Sequence, residues 1–282
     1  MISEEEGQRQ KAGNELVLSF LSVRRCIGAL GFFLPVALLV YAVLSGEGVR
    51  NSISGYFYSP MREVFVGTLL AQAVFLWSYE GYRDPDLILS DRLVARIAAV
   101  AVALVALSPT YPQEAASKIQ TDMPQPAPGL GTIRECLLQH GPAGPEHNLM
   151  QCLLGPKIGP MLHFAAAGAF FLALAVYCLV LFRRGAPKTP REQGEDRIYR
   201  ICGWTIIGSI GLIGLLVWTD WDLRIKALRP IFWLETLACF AFATSWTVKG
   251  RTLGPLVRML QPKDPAPAPP DLGNAAPPGD GR

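Results

Sequence analysis

Apolar residues along this chain gather into six long blocks with short polar stretches between them. The blocks are approximately 26–45, 64–82, 93–108, 159–182, 203–219 and 230–248. At about 1.5 Å rise per residue, roughly 20 apolar residues cross a hydrocarbon core about 30 Å thick. The pattern therefore predicts an all-α, polytopic integral membrane protein of six transmembrane helices. The third block is the shortest and reaches a full crossing only if its helix begins near Asp91, with Arg96 snorkelling to the interface. Gly28, Gly31 and Pro35 share one stripe of the first block, and glycines at 203, 208, 211 and 214 line the fifth. Both stripes predict close helix–helix packing.

Between the blocks the chain divides simply. Residues 1–20 are expected to form a disordered N-terminus. Overlapping their end, ELVLSFLSVRR (residues 15–25) is half apolar, and it either lies along the membrane surface or extends the first span inward. Residues 21–250 form the membrane domain, whose long loop, 109–158, is rich in Pro and Gly. RRGAPKTPREQGEDRIYR reads as a basic loop, and residues 251–282 as a cytoplasmic Pro/Ala/Gly-rich tail with nothing to bury. The N-terminus, MISEEEGQRQK, has no basic n-region, so the first block reads as a retained anchor.

Composition agrees with this reading: half the residues are hydrophobic and only 17% are charged. A net charge of +3 implies no nucleic-acid partner. Placement of the basic residues is more informative. On the six-span arrangement, 18 of the 26 Lys and Arg fall on the side of the termini and 8 on the other. The positive-inside rule then places both termini in the cytoplasm, with a bacterial cytoplasmic membrane as the expected location. Trp77, Trp204 and Trp246 fall at the inner interface, and Trp218, Trp221 and Trp233 at the outer one.

The stretch NSISGYFYSPMREVF, which opens the second block from the outer side, holds most of the candidate chemistry. Ser52, Ser54, Tyr58, Arg62 and Glu63 lie there. His163 in the fourth block and Glu235 in the sixth fall at similar depth. Ionisable groups inside a membrane are costly unless they face the bundle and find partners. Glu235 is therefore expected to pair with Arg62 or, failing that, with His163. Such a cluster is either a polar pocket for a lipid headgroup or a buried pair that fixes helix register.

Metal and nucleophile chemistry are not expected. One intramembrane histidine, with no HExxH or HxxxH pair, falls short of the three ligands of a catalytic zinc. No GxSxG elbow occurs, and no cofactor is implied. Cys136, His140, His147 and Cys152 in the long loop are zinc-ligand types, but the loop faces an oxidising side. There a Cys136–Cys152 disulfide is favoured over metal.

Ile53, Ser54, Pro60, Val64 and Phe65 resemble the motif between the first two spans of the DRAM-like family, the damage-regulated autophagy modulators and GPI-anchor remodelling factors. The six-block count, His163 with its FAAAGAFF continuation, and Glu235 are also similar to that family. SISGYFYSPMREVFVG and FATSWTVKG look closer still to uncharacterised bacterial membrane proteins. The resemblance covers roughly residues 20–250 apart from the long loop. It implies a non-enzymatic membrane protein linked to lipid handling, whose partners are membrane lipids or a membrane protein. A small-molecule or lipid transporter is the alternative, although no repeat relates the two halves of the chain. An intramembrane hydrolase or transferase is the second alternative.

Overall fold

In the computed structural model the six apolar blocks become six helices: α1 (Glu4–Ser45), α2 (Arg62–Trp77), α3 (Asp91–Leu107), α4 (Leu149–Val176), α5 (Pro190–Trp218) and α6 (Pro230–Lys249). A short α7 (Gly254–Met259) follows. The structure describes residues 4–81, 90–108, 138, 140–141, 144–145, 149–185 and 189–261. Among these the only β pairing is a two-residue antiparallel pair, His140–Gly141 with Gly144–Pro145.

Local chemistry sets the helix starts. Ser90 Oγ accepts from Leu93 N at 3.2 Å and caps α3, so the short third helix does begin at Asp91. At α5, Thr189 Oγ1 accepts from Glu192 N while the Glu192 carboxylate accepts from Thr189 N, with Pro190 in the first helical position. That box extends α5 backwards, so much of the expected basic loop is helix. The N-terminal segment departs from the expected disorder, because α1 is one helix from Glu4; ELVLSFLSVRR extends the first span, one of the two arrangements expected.

Four helical segments are long and apolar enough to cross a membrane: Leu21–Ser45, Ile158–Leu181, Pro190–Trp218 and Lys226–Lys249. The chain is thus a membrane protein by length and composition of its helices. The other two helices, α2 with 16 residues and α3 with 17, are shorter.

Each helix packs on its chain neighbours, and α6 returns to pack on α1, which closes a ring of six. One end of the ring carries the start of α6, the C-terminus of α3 and the turn before α2. The other carries Arg25 against Gly250, where Arg25 Nε donates to the Gly250 carbonyl at 3.0 Å. We call the first the loop end and the second the termini end. α1 and α6 approach closely: a Cβ on Gly28 would meet Thr247 Oγ1, and one on Gly31 would lie 2.9 Å from the Phe242 ring. The α5 stripe behaves differently. Gly203 meets Leu179 and Cys178, but Gly208, Gly211 and Gly214 have nothing within 4 Å. The expected packing holds at one glycine of that stripe and fails at three.

Two apolar layers fill the ring. Towards the termini end, Tyr79, Tyr177, Phe182 and Trp246 stack edge to face, with Trp246 centred 5.0 Å from both Tyr79 and Tyr177. Trp246, expected at the membrane interface, is instead fully buried, whereas Trp77, Trp204, Trp218, Trp221 and Trp233 are exposed. Towards the loop end, Leu34, Leu38, Phe65 and Phe232 surround Ile53, Tyr56 and Phe57 from the turn before α2.

Candidate functional site

The turn over residues 51–61 folds into the loop end of the ring as a plug. Ser52 Oγ accepts from Gly55 N at 3.0 Å and curls the chain into a 3₁₀ turn, Ser54–Tyr58. That turn drives Ile53, Tyr56 and Phe57 inward. Three hydrogen bonds then tie the plug to the bundle, and two more extend them into the helices. Phe232 N donates to the Asn51 carbonyl at 3.0 Å, and Ile53 N donates to Glu235 Oε2 at 2.5 Å. Ser54 Oγ lies 2.9 Å from His163 Nε2, while His163 Nδ1 lies 2.8 Å from the Ser108 carbonyl. Ser108 Oγ in turn donates to the Gly159 carbonyl at 2.9 Å. Burial raises the pKa of the Tyr56 phenol, whose oxygen accepts from Arg50 N at 3.4 Å.

Each residue expected at a pocket can now be placed. Ser52 serves the turn itself, and Tyr58 packs edge-on against Phe57, 5.1 Å between ring centres. Ser54, His163 and Glu235 do converge, but as tethers for the plug. The expected pairing of Glu235 with Arg62 or His163 is not formed. Among the described residues Glu235 makes no ion pair, and its carboxylate holds the Ile53 amide. Arg62 points elsewhere, with its guanidinium stacked 4.1 Å over the Phe57 ring. The reason is local: the plug brings a backbone N–H to Glu235 before any side chain from α2 can reach it.

Arg62 and Glu63 instead line a groove of about 550 Å³ on the outside of the plug. Its remaining wall is apolar: Phe57, Val66, Gly67, Ala106, Leu107 and Met150. Among the described residues Arg62 forms no ion pair, and Glu63 is exposed. The site residues therefore divide in two, tethers within and a charged rim without.

A nucleophile beside a base is an arrangement that sequence reasoning did not see, since Ser54 and His163 are 109 positions apart. The Ser108 carbonyl only accepts, so a neutral His163 carries its proton on Nδ1 and accepts the Ser54 hydroxyl proton at Nε2. Yet His163 is 3% exposed, and the amides after Ser54 are engaged in the turn: Gly55 N with Ser52 O at 3.2 Å, Tyr56 N with Ile53 O at 3.1 Å. Neither is offered to an oxyanion.

Sequence reasoning also missed a buried polar cluster at the termini end. There Arg24 donates to Tyr79 Oη at 3.0 Å, Arg184 meets Asp91 Oδ1 at 3.1 Å, and Tyr177 Oη donates to the Asp91 carbonyl at 2.5 Å. An aspartate opening an apolar block is the one signal that could have located it.

In the long loop, Cys152 is disulfide-bonded; its expected partner Cys136 lies outside the described residues, as does His147. Among the described residues no three His, Cys, Asp or Glu side chains gather as a metal site would require. Compared with known protein families, curated proteins and solved structures, the chain matches none.

Proposed function

We propose that this is a non-enzymatic, six-span membrane protein with both termini in the cytoplasm, and that its outward-facing groove binds a lipid headgroup. One observation carries the reading: a half-buried Arg62 without an ion-pair partner among the described residues, at the rim of a groove that is apolar apart from Arg62 and Glu63. A guanidinium stacked on a ring keeps its outer N–H groups for a phosphate. Glu63 on the same rim complements an ammonium, so the pair suits a zwitterionic aminophospholipid whose chain lies along Val66, Ala106 and Leu107. The resemblance carried by Ile53, Ser54, Pro60, Val64 and Phe65 also points towards lipids. Native mass spectrometry of the protein in nanodiscs of mixed phosphatidylethanolamine and phosphatidylcholine tests it. Arg62→Ala should reduce bound aminophospholipid about fivefold, the ratio expected for one basic residue worth about 1 kcal/mol near a lipid surface. Glu63→Gln should remove the preference over phosphatidylcholine. Unchanged occupancy in Arg62→Ala would rule the site out.

The Ser54–His163 hydrogen bond favours one other reading, an intramembrane hydrolase or transferase with Ser54 as nucleophile and His163 as base. Labelling by a lipid-soluble fluorophosphonate at Ser54, lost in His163→Gln, would establish it. The engaged amides of the plug turn predict no labelling.

A further inference from the structure

A second groove, of about 490 Å³, runs between α3 and α4. Its walls are Ile97, Val100, Ala101 and Leu104 from α3 and Leu162, Ala165, Ala166 and Ala169 from α4. The α3 wall, from Arg96 to Leu104, is about 12 Å long at ~1.5 Å per residue. One wall belongs to a helix long and apolar enough to cross a membrane, Ile158–Leu181, so the groove opens towards lipid.

Among the described residues Arg96 is the only charged side chain in it. It lies in the second turn of α3, and helical side chains lean towards the helix N-terminus. The guanidinium is thereby carried to the termini end, where it lies 5.2 Å over the Trp77 ring. Trp77 is itself half exposed, in the manner of an interfacial tryptophan. Arg92, one turn earlier, is paired with Glu80 at 3.4 Å, but Arg96 has no ion-pair partner among the described residues. Its Nε atom is buried and bonded to nothing. Leaving a donor of a cation unsatisfied costs more than leaving a neutral one.

We infer that this groove is a binding site for an anionic phospholipid of the leaflet on the termini side, with the phosphate on Arg96 and one acyl chain lying along the alanine and valine wall. The alanines of α4 supply the width: larger residues at 165 and 169 would fill the channel. Anionic rather than zwitterionic lipid follows from charge. Arg92 is neutralised by Glu80, no carboxylate lines the groove, and Arg96 is left as a net positive charge. This site is independent of the one at Arg62 and Glu63, which differs from it in offering a carboxylate as well.

The experiment counts lipids of two masses on one protein. In nanodiscs of phosphatidylethanolamine, phosphatidylcholine and phosphatidylglycerol, native mass spectrometry of the wild-type chain should retain one phosphatidylglycerol. Arg96→Gln should lower that occupancy about fivefold relative to phosphatidylcholine and leave phosphatidylethanolamine at the Arg62 groove unchanged. Ala165→Phe, which fills the groove but keeps the cation, should also lose phosphatidylglycerol. Its folding is checked by an unchanged elution volume. Phosphatidylglycerol retained equally by Arg96→Gln, or by a folded Ala165→Phe, overturns the inference. So does its loss in Arg62→Ala alone, which would place the lipid in the other groove. Loss of phosphatidylethanolamine in Arg62→Ala bears only on the outer reading, so the two proposals fail separately.

Discussion

Two ionisable residues, Glu235 and His163, decide how the loop end is built. Each lies within a helix long enough to span a membrane, where a polar group without a partner is expensive. Glu235 spends its hydrogen bond on the Ile53 amide of the plug, and His163 links Ser54 of the plug to the Ser108 carbonyl at the end of α3. Glu235→Ala leaves the Ile53 N–H without its acceptor, at a cost of about 1–3 kcal/mol. Glu235→Gln keeps a carbonyl oxygen in reach and should cost less. Arg62 lies over Phe57 and shares no partner with Glu235, so Glu235→Ala and Arg62→Ala should add to within about 0.5 kcal/mol in detergent-monitored thermal unfolding. A coupling above about 1 kcal/mol would show that the two charges meet after all. The sequence marked Glu235 and His163 correctly as inward-facing polar groups. It could not identify their partners, because two of the three, the Ile53 amide and the Ser108 carbonyl, are backbone atoms, which carry no residue signature.

Among the elements, the α1–α6 contact and the outer half of α5 use the same residue for opposite ends. Gly28 and Gly31 are there because a methyl group would strike Thr247 or Phe242, whereas Gly208 and Gly211 face open space. Gly31→Ala must push the Phe242 ring aside and should lower stability by about 1–3 kcal/mol through overpacking. Gly211→Ala, in an exposed part of a helix, should raise it by up to about 1 kcal/mol through helix propensity. Thermal unfolding of the two variants in one detergent should show shifts of opposite sign, and a loss in both would return the α5 stripe to a packing role. The two stripes look alike in sequence because periodicity reports a helix face and not what lies against it. Thr189 and Glu192 show the converse. Their spacing is a legible capping box that extends α5 into the basic segment, yet a reading by hydropathy treats those residues as loop. Thr189→Ala should cost about 1 kcal/mol by the same assay.

At the scale of the whole molecule, the blocks of hydropathy map directly onto six helices, because burial in lipid needs length and apolarity and little else. The closure of α6 onto α1, and the seating of the plug inside the ring, rest on contacts between residues about 200 positions apart, which no local pattern carries. The crossing of α2 and α3 is the part of the topology that helix length leaves open. At 16 and 17 residues they rise about 24–26 Å at ~1.5 Å per residue, less than a core of roughly 30 Å. Flanking residues or local thinning must supply the rest. A re-entrant α2–α3 hairpin would leave both termini on the same side, as six crossings also do, so fusions at the termini cannot separate the two arrangements. The turn after α2 can. Glu80 is half-buried and pairs with Arg92 at the termini end, whereas Glu47 is exposed at the loop end. Cysteine placed at each, in a background lacking Cys26, Cys178, Cys202 and Cys239, reports the side by labelling with a membrane-impermeant maleimide. With six crossings, Glu47→Cys reacts in intact right-side-out vesicles, and Glu80→Cys reacts only once they are opened or inverted. Glu80→Cys that reacts from neither side until the membrane is dissolved would show that α2 and α3 dip into the bilayer and return.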